Sequence, residues 1–263
     1  MEMKIPFHHI DAFTDRPFAG NPAGVCFLDS WLDDALLLSI AAENNLSETA
    51  FLVKGDGAYE LRWFSPKIEI DLCGHATLAA AFAIFSHREP AAGGVDFLTK
   101  SGNLAVRREG DLLLMDFPSR KALPRTMPAG LVEVLGREPR DVLAARDLLV
   151  VYETEDEIRN LKPSIDGLLA LDEFAVIVTA PGRKADFVSR FFAPKAGVPE
   201  DPVTGSSHCT LIPYWAERLG KGELHAVQLS ARGGELFCRD RGARVTIGGH
   251  AVEYLSGELT VPS

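Results

Sequence analysis

Long apolar runs, an excess of basic residues and closely spaced cysteines are all scarce in this 263-residue chain, and each shortage removes a class of protein. No stretch approaches the roughly 18 consecutive apolar residues that a membrane-crossing helix needs, so no membrane partner is expected. Acidic residues outnumber basic ones, 37 to 27, for a net charge of −10. Nucleic-acid binding draws on clustered Lys and Arg, and the short clusters at Arg107-Arg108 and between Arg239 and Arg244 look like charges at strand ends, so no nucleic-acid partner is expected either. The four cysteines, Cys26, Cys73, Cys209 and Cys238, form no CxxC. That usage suits a reducing compartment, so free thiols and a cytoplasmic location are expected. The opening "MEMKIPFHHIDAF" carries acidic groups and alternates like a strand, unlike a secretory leader. There is no GxGxxG after a strand and no GxxxxGK[ST], so no nucleotide cofactor is expected. The histidines are scattered, and Cys73-x-His75 and His208-Cys209 match no usual zinc spacing, so no metal is expected.

What is present is a core and a repeat. At 46% apolar and 24% charged, the chain can fill one large domain or two of ordinary size. "RWFSPK" at Arg62 to Lys67 returns as "RFFAPK" at Arg190 to Lys195. Upstream stand "SETAFLV" (Ser47 to Val53) and "DEFAVIV" (Asp172 to Val178), each an acid followed by a buried-looking strand. Downstream, each copy runs through a loop to a glycine, Gly74 or Gly205, and into a helix. The order of matched features points to a duplicated unit. The proline-rich, basic stretch 119–130 reads as a linker between an N-terminal half, 1–118, and a C-terminal half, 131–263.

Within each half the pattern predicts many strands around one helix. "ATLAAAFAIF" after Gly74 has no polar face beyond Thr77, and a helix apolar all round must be surrounded. Strands are expected near 3–13, 24–28, 49–54, 58–65, 95–99, 102–108 and 111–117. A comparable set is expected near 147–153, 174–179, 187–193, 224–230, 235–240, 243–247 and 251–261. Leu32 to Asn44 reads as an outer helix with an acidic first turn. Pro213 is expected to bend the second central helix or to confine regular helix to either side of it. The fold class is therefore α+β, two similar domains, each a curved, barrel-like sheet wrapped around a central buried helix.

The candidate chemistry lies at the two helix starts. Cys73-Gly74-His75 and Thr204-Gly205-Ser206 are strand-to-helix turns whose glycines leave backbone N–H groups exposed, and a helix start attracts carboxylate. With the halves facing each other, both starts would aim into one interdomain cleft, suited to a substrate acid and to the charge formed when a proton leaves a neighbouring carbon. Ordinary capping by Asp201, Thr204 and Ser206 is the plainer explanation of either turn alone. Glu48, at the head of an apolar strand, is a candidate proton carrier, and Glu173 is its apparent counterpart; the residues alone do not choose between them. His75, Asp201 and Ser206 would supply hydrogen bonds and proton relay. "AGNPAG" (Ala19 to Gly24) reads as a turn at the cleft edge.

"DAFTDRPFAGNPAGV" (Asp11 to Val25), "NLSETAF" (Asn45 to Phe51), "RWFSPKIEIDLCGHAT" (Arg62 to Thr77) and "PEDPVTGSSHC" (Pro199 to Cys209) together resemble the PhzF-like phenazine-biosynthesis family, of the diaminopimelate-epimerase-like fold. The resemblance implies that the acid/base is Glu48 rather than Glu173. It also implies that His75, Asp201 and Ser206 surround the substrate with the amides of Gly74 and Gly205 nearby, and that the protein is a homodimer. The implied activity is a cofactor-independent proton shift in a small carboxylate-bearing substrate, dihydroaromatic or amino-acid-like. Related epimerases and racemases place a cysteine before the glycine in each half; here those positions are Cys73 and Thr204, which disfavours a two-thiol mechanism. A non-catalytic metabolite- or partner-binding protein of the same fold is the contrasting class.

Overall fold

The computed structural model describes residues 2–262, which form two compact units: residues 2–116 with 248–262, and residues 117–247. The first unit holds β1 (Glu2–Ala12), β2 (Asn21–Leu28), α1 (Asp34–Asn44), β3 (Glu48–Lys54), β4 (Tyr59–Phe64), β5 (Glu69–Ile70), α2 (Gly74–His87), β6 (Gly94–Thr99), β7 (Gly102–Glu109) and most of β8 (Leu112–Pro118). The second holds β9 (Leu123–Pro124), α3 (Leu131–Leu135), β10 (Asp141–Ala144), β11 (Leu148–Val151), α4 (Glu155–Asn160), α5 (Ile165–Ala170), β12 (Val176–Pro181), β13 (Phe187–Ala193), β14 (Val198–Asp201), α6 (Gly205–Leu219), β15 (Glu223–Gln228), β16 (Gly234–Asp240) and most of β17 (Arg244–Gly249). The last strand, β18 (Ala251–Pro262), returns to the first unit.

The two units repeat one pairing plan. In the first, β1 and β2 are antiparallel, β2 and β3 parallel, β3 and β4 antiparallel, β4 and β6 parallel, and β6 and β7 antiparallel, with the short β5 folded back on β4. In the second, β10, β11, β12, β13, β15 and β16 take those places in the same senses, and β14 folds back on β13. Every parallel pair needs a crossover, and helices supply it. α1 links β2 to β3, and α4 with α5 links β11 to β12; α2 and α6 are the central helices.

The central helices sit where an apolar surface requires. α2 is rich in alanine, the best helix former, and its residues Ala76 to Ala81, Ala83, Ile84 and Phe85 are buried against β1, β2, β3 and β18. Burial of Leu78, Ile84 or Phe85 is worth about 1.5–3 kcal/mol each. α1 lies on the other side of the first unit's sheet, where Leu37, Ile40 and Ala41 meet Ile5, Phe7, Cys26, Phe51 and Phe64. Asp33 caps it by accepting the Ala35 N–H at 2.8 Å.

The repeated hexapeptide marks a duplicated ion pair. Arg62 forks onto Glu69, Nε to Oε1 at 2.7 Å and Nη2 to Oε2 at 2.9 Å; Arg190 forks onto Glu200 with the same two distances. Each guanidinium also lies over the aromatic ring two residues on, 5.1 Å from Phe64 and 5.0 Å from Phe192. A bidentate fork is more selective in geometry than a single ion pair. Its double occurrence ties β4 to β5 and β13 to β14, and so fixes the loops that lead to α2 and α6.

Three expectations are corrected. Regular helix is not confined to either side of Pro213, because α6 continues through it. The missing proline N–H releases the Cys209 carbonyl, and the backbone N–H of Arg120 takes it at 2.9 Å. That bond also shows that residues 119–130 are part of the second unit rather than a free linker, since they include β9, which pairs with β10. Finally, residues 251–262 belong with the first unit instead of the second, because β18 pairs with β1 along nearly its whole length. All four cysteines are free and buried. Among the described residues, no helix is long and apolar enough to cross a membrane.

Candidate active site

In the first unit the chain brings Glu48, Cys73, Gly74 and His75 together. Glu48 is the first residue of β3, and His75 lies in the first turn of α2, whose N-cap is Cys73. His75 Nε2 lies 2.9 Å from Glu48 Oε2, an ion-pair contact off the line of the ring N–H. Its other nitrogen, Nδ1, is 3.6 Å from Cys73 Sγ and 3.2 Å from Asn21 Nδ2. Burial alone would depress the His75 imidazole, but negative charge at Cys73 and Glu48 outweighs it and raises the ring well above its ordinary value. The Cys73 thiol is itself pushed up, by burial first and by the Glu48 charge second. One donor atom each from Glu48, Cys73 and His75 lies within 4.8 Å of the others, a set able to hold a cation.

In the second unit Asp201, Thr204, Gly205 and Ser206 are grouped at the start of α6. Asp201 ends β14, Thr204 is the N-cap of α6, and Gly205 is its first residue. Neither Cys73 nor Thr204 caps its helix with a side chain. The Thr204 hydroxyl instead donates to Asp201 Oδ2. Gln228 locks this turn: its Oε1 accepts the Thr204 N–H at 2.9 Å, and its Nε2 donates to the Asp201 carbonyl at 2.8 Å and to Thr204 Oγ1 at 3.2 Å. Arg146 Nη2 reaches Ser206 Oγ at 3.3 Å while the buried Asp147 carboxylate holds the guanidinium at 2.7 Å.

Strand register settles the counterpart of Glu48. Phe64 of the first hexapeptide faces Thr49, and Phe192 of the second faces Val176. The residue before each is Glu48 in one unit and Ala175 in the other. Glu173 lies two residues further back, with its buried side chain paired to Arg125 at 2.7 Å. The two acids look equivalent in sequence because each precedes an apolar strand, whereas β12 begins only at Val176. By the same register Ile70 stands where Asp201 does, since Trp63 faces Ile70 and Phe191 faces Asp201.

Asn21, Arg146 and Gln228 were not anticipated as site residues. Asn21 lies inside "AGNPAG", where Gly20 adopts φ +66 and an added Cβ would stand 2.2 Å from the Ala12 carbonyl oxygen. Arg146 and Gln228 carry no local signal, because each reaches its turn from a distant strand connection. Two surface hollows of about 450 and 480 Å³ are lined by residues outside both turns.

Two units of one plan, each a curved mixed sheet around a buried helix that opens on Gly74 or Gly205, define the diaminopimelate-epimerase-like class. A hydroxyproline epimerase from Agrobacterium vitis shares the fold alone, with a TM-score of 0.59 at 10% identity over 98% of this chain and 91% of that one. The chain belongs to the phenazine biosynthesis-like protein family (PhzC-PhzF), whose model matches residues 10–257. It is 53% identical over 257 residues, 98% of this chain and 99% of the other, to a Pseudomonas aeruginosa protein named an uncharacterized isomerase. A crystal structure of a PhzF-family protein from Enterococcus faecalis is 44% identical with a TM-score of 0.96, over 98% of this chain and 99% of that one.

Proposed function

We propose that the chain is an isomerase that moves a proton within a small carboxylate-bearing substrate, dihydroaromatic or amino-acid-like, using Glu48 as the one acid/base and no cofactor. The class follows from the family and from relatives named isomerases. The observation that carries the one-base reading is the asymmetry of the duplicated positions: Glu48 against Ala175, and Cys73 against Thr204. The Glu48 carboxylate takes a proton from a substrate carbon, the C–H electron pair moves into the neighbouring unsaturated system, and the same carboxyl returns the proton to another carbon. Substrate and product then have the same composition. His75, 2.9 Å from Glu48, steadies the carboxylate and offers a second proton for relay. In the second unit, the free N–H groups at Gly205 and Ser206, with the Ser206 hydroxyl and Arg146, form a turn suited to a carboxylate.

An epimerase of the same fold needs a base on each face of one carbon. Cys73 has a thiol raised by burial, and the Thr204 hydroxyl is committed to Asp201, so this reading has weaker support. The test is turnover of a dihydroaromatic amino acid in heavy water by the wild type and Glu48→Gln. The variant should lose roughly 10²–10⁴-fold in rate and take up no deuterium. Unchanged turnover and uptake would end the proposal. Racemisation abolished by Cys73→Ala with Glu48 dispensable would favour the epimerase, and binding without chemical change across a substrate panel would mark a metabolite-binding protein.

A further inference from the structure

The first unit contains a second cluster of titratable side chains, remote in sequence from Glu48 and made by a fault in a ladder. Where β18 pairs with β1, the register slips between His9 and Ile10: His9 faces Leu255, Ile10 faces Glu253, and Tyr254 is the extra residue. Residues directly across an antiparallel pair share a face, so an unbroken ladder would set Tyr254 across from Ile10 and turn Glu253 outward. The bulge places Glu253 on the face of Ile10 and therefore of His8, two residues earlier. α2 packs along both strands, and its last residue, His87, arrives at the same point.

The three side chains converge on one atom. His8 Nδ1 lies 2.7 Å and His87 Nε2 2.8 Å from the same oxygen, Glu253 Oε1, and the two imidazoles are stacked with centroids 4.2 Å apart. All three donor atoms lie within 4.8 Å of one another. Arg88, the nearest basic side chain in sequence, lays its guanidinium over the Phe27 ring at 4.6 Å. Two imidazoles and one carboxylate are the donor set of a borderline divalent ion such as zinc. Metal–ligand bonds of roughly 2.0–2.2 Å hold donors slightly farther apart than these hydrogen bonds do. His8 is fixed by burial, with 10% of its side chain exposed, but His87 at 34% and Glu253 at 26% can swing outward, and they leave a solvent-facing fourth position.

We propose that His8, His87 and Glu253 bind one Zn²⁺-class divalent ion per chain, with water completing the coordination. The ion ties the first strand, the end of the central helix and the last strand of this unit, three segments that no local spacing links. Irving–Williams preferences place Zn²⁺, Ni²⁺ and Cu²⁺ above Mn²⁺ at such a site.

The experiment uses protein stripped with a chelator and carrying Cys73→Ser, which removes the thiol of the other donor cluster. Titration with zinc chloride by calorimetry should show one ion per chain, and thermal unfolding should move to higher temperature. Adding His87→Ala, or separately Glu253→Gln, should weaken binding roughly tenfold or more and abolish the thermal shift. Circular dichroism confirms that each variant is folded; the Glu253→Gln variant keeps the shape and a hydrogen-bonding amide. No zinc binding in the Cys73→Ser background, or binding indifferent to His87→Ala and Glu253→Gln, overturns the proposal. In the wild type, cobalt substitution provides a further check: thiolate-to-metal charge transfer with no change on His87→Ala would put the ion at Cys73 and refute the assignment.

Discussion

Replacing Glu69 with glutamine tests whether the repeated Arg–Glu fork stabilises the first unit. The hydrogen bonds from Arg62 hold the Glu69 carboxyl at about 2, against burial, and Lys100 adds to them; the ordinary value is 4.5. That gap corresponds to about 3 kcal/mol, and because Lys100 is 56% exposed its share is screened, so about 2–3 kcal/mol is expected. A carboxyl whose folded value is depressed contributes fully above its unfolded value and loses the contribution as pH falls through the folded one. Arg62 is pushed up by the same pair and stays charged throughout. Urea unfolding of wild type and Glu69→Gln should therefore differ by about 2–3 kcal/mol near pH 6, converge below pH 4.5 and nearly coincide at about pH 2. The protonated carboxyl of Glu69 and the substituted amide are then near-equivalent partners for Arg62. A gap that is constant with pH, or that widens in acid, refutes the reasoning.

Other outcomes follow from single contacts. His208 is fully buried with Nδ1 2.8 Å from the Thr204 carbonyl, and burial lowers its ring to about 4; its contribution is full above 6.5 and lost as pH falls from 6.5 to 4. His208→Asn keeps a donor near that carbonyl without titrating, so its denaturation midpoint should fall less than that of the wild type across that window. Gly20→Ala forces a side chain into the left-handed region and onto the Ala12 carbonyl, so a loss of about 1–2 kcal/mol or more is expected by thermal unfolding, with reduced turnover as Asn21 shifts from His75. Gln228→Leu leaves the buried Thr204 N–H unpaired, at a cost of about 1–3 kcal/mol measured in urea, and should lower kcat more than it raises KM by loosening Asp201.

Much of the architecture was legible because its signals are local. The all-apolar run after Gly74 fixed the central helix, and alternation located most strands of both units to within a few residues. The short pieces β5, β9, β10 and β14 and the small helices α3 to α5 escaped, since two to six residues carry too little periodicity. Helix continues through Pro213 for a defined reason: a segment distant in sequence, at Arg120, satisfies the carbonyl that the proline abandons. Glu48 and His75 were visible as residues of suggestive type, yet their 2.9 Å contact depends on the turn into β3 meeting the start of α2. Glu173 resembles Glu48 in sequence because each precedes an apolar strand, and only the ladder assigns Ala175 as the counterpart. Gln228 and Arg146 depend wholly on tertiary approach and had no sequence signature.

The pairing of the last strand with the first bears on how the chain is made. Residues 117–247 are continuous, so that unit has all its strands as soon as they leave the ribosome, whereas β1 waits with an open hydrogen-bonding edge until residues 251–262 are synthesised. The nascent first unit is thus the part that would benefit from a chaperone, and slow translation of residues 251–262 would prolong its vulnerability.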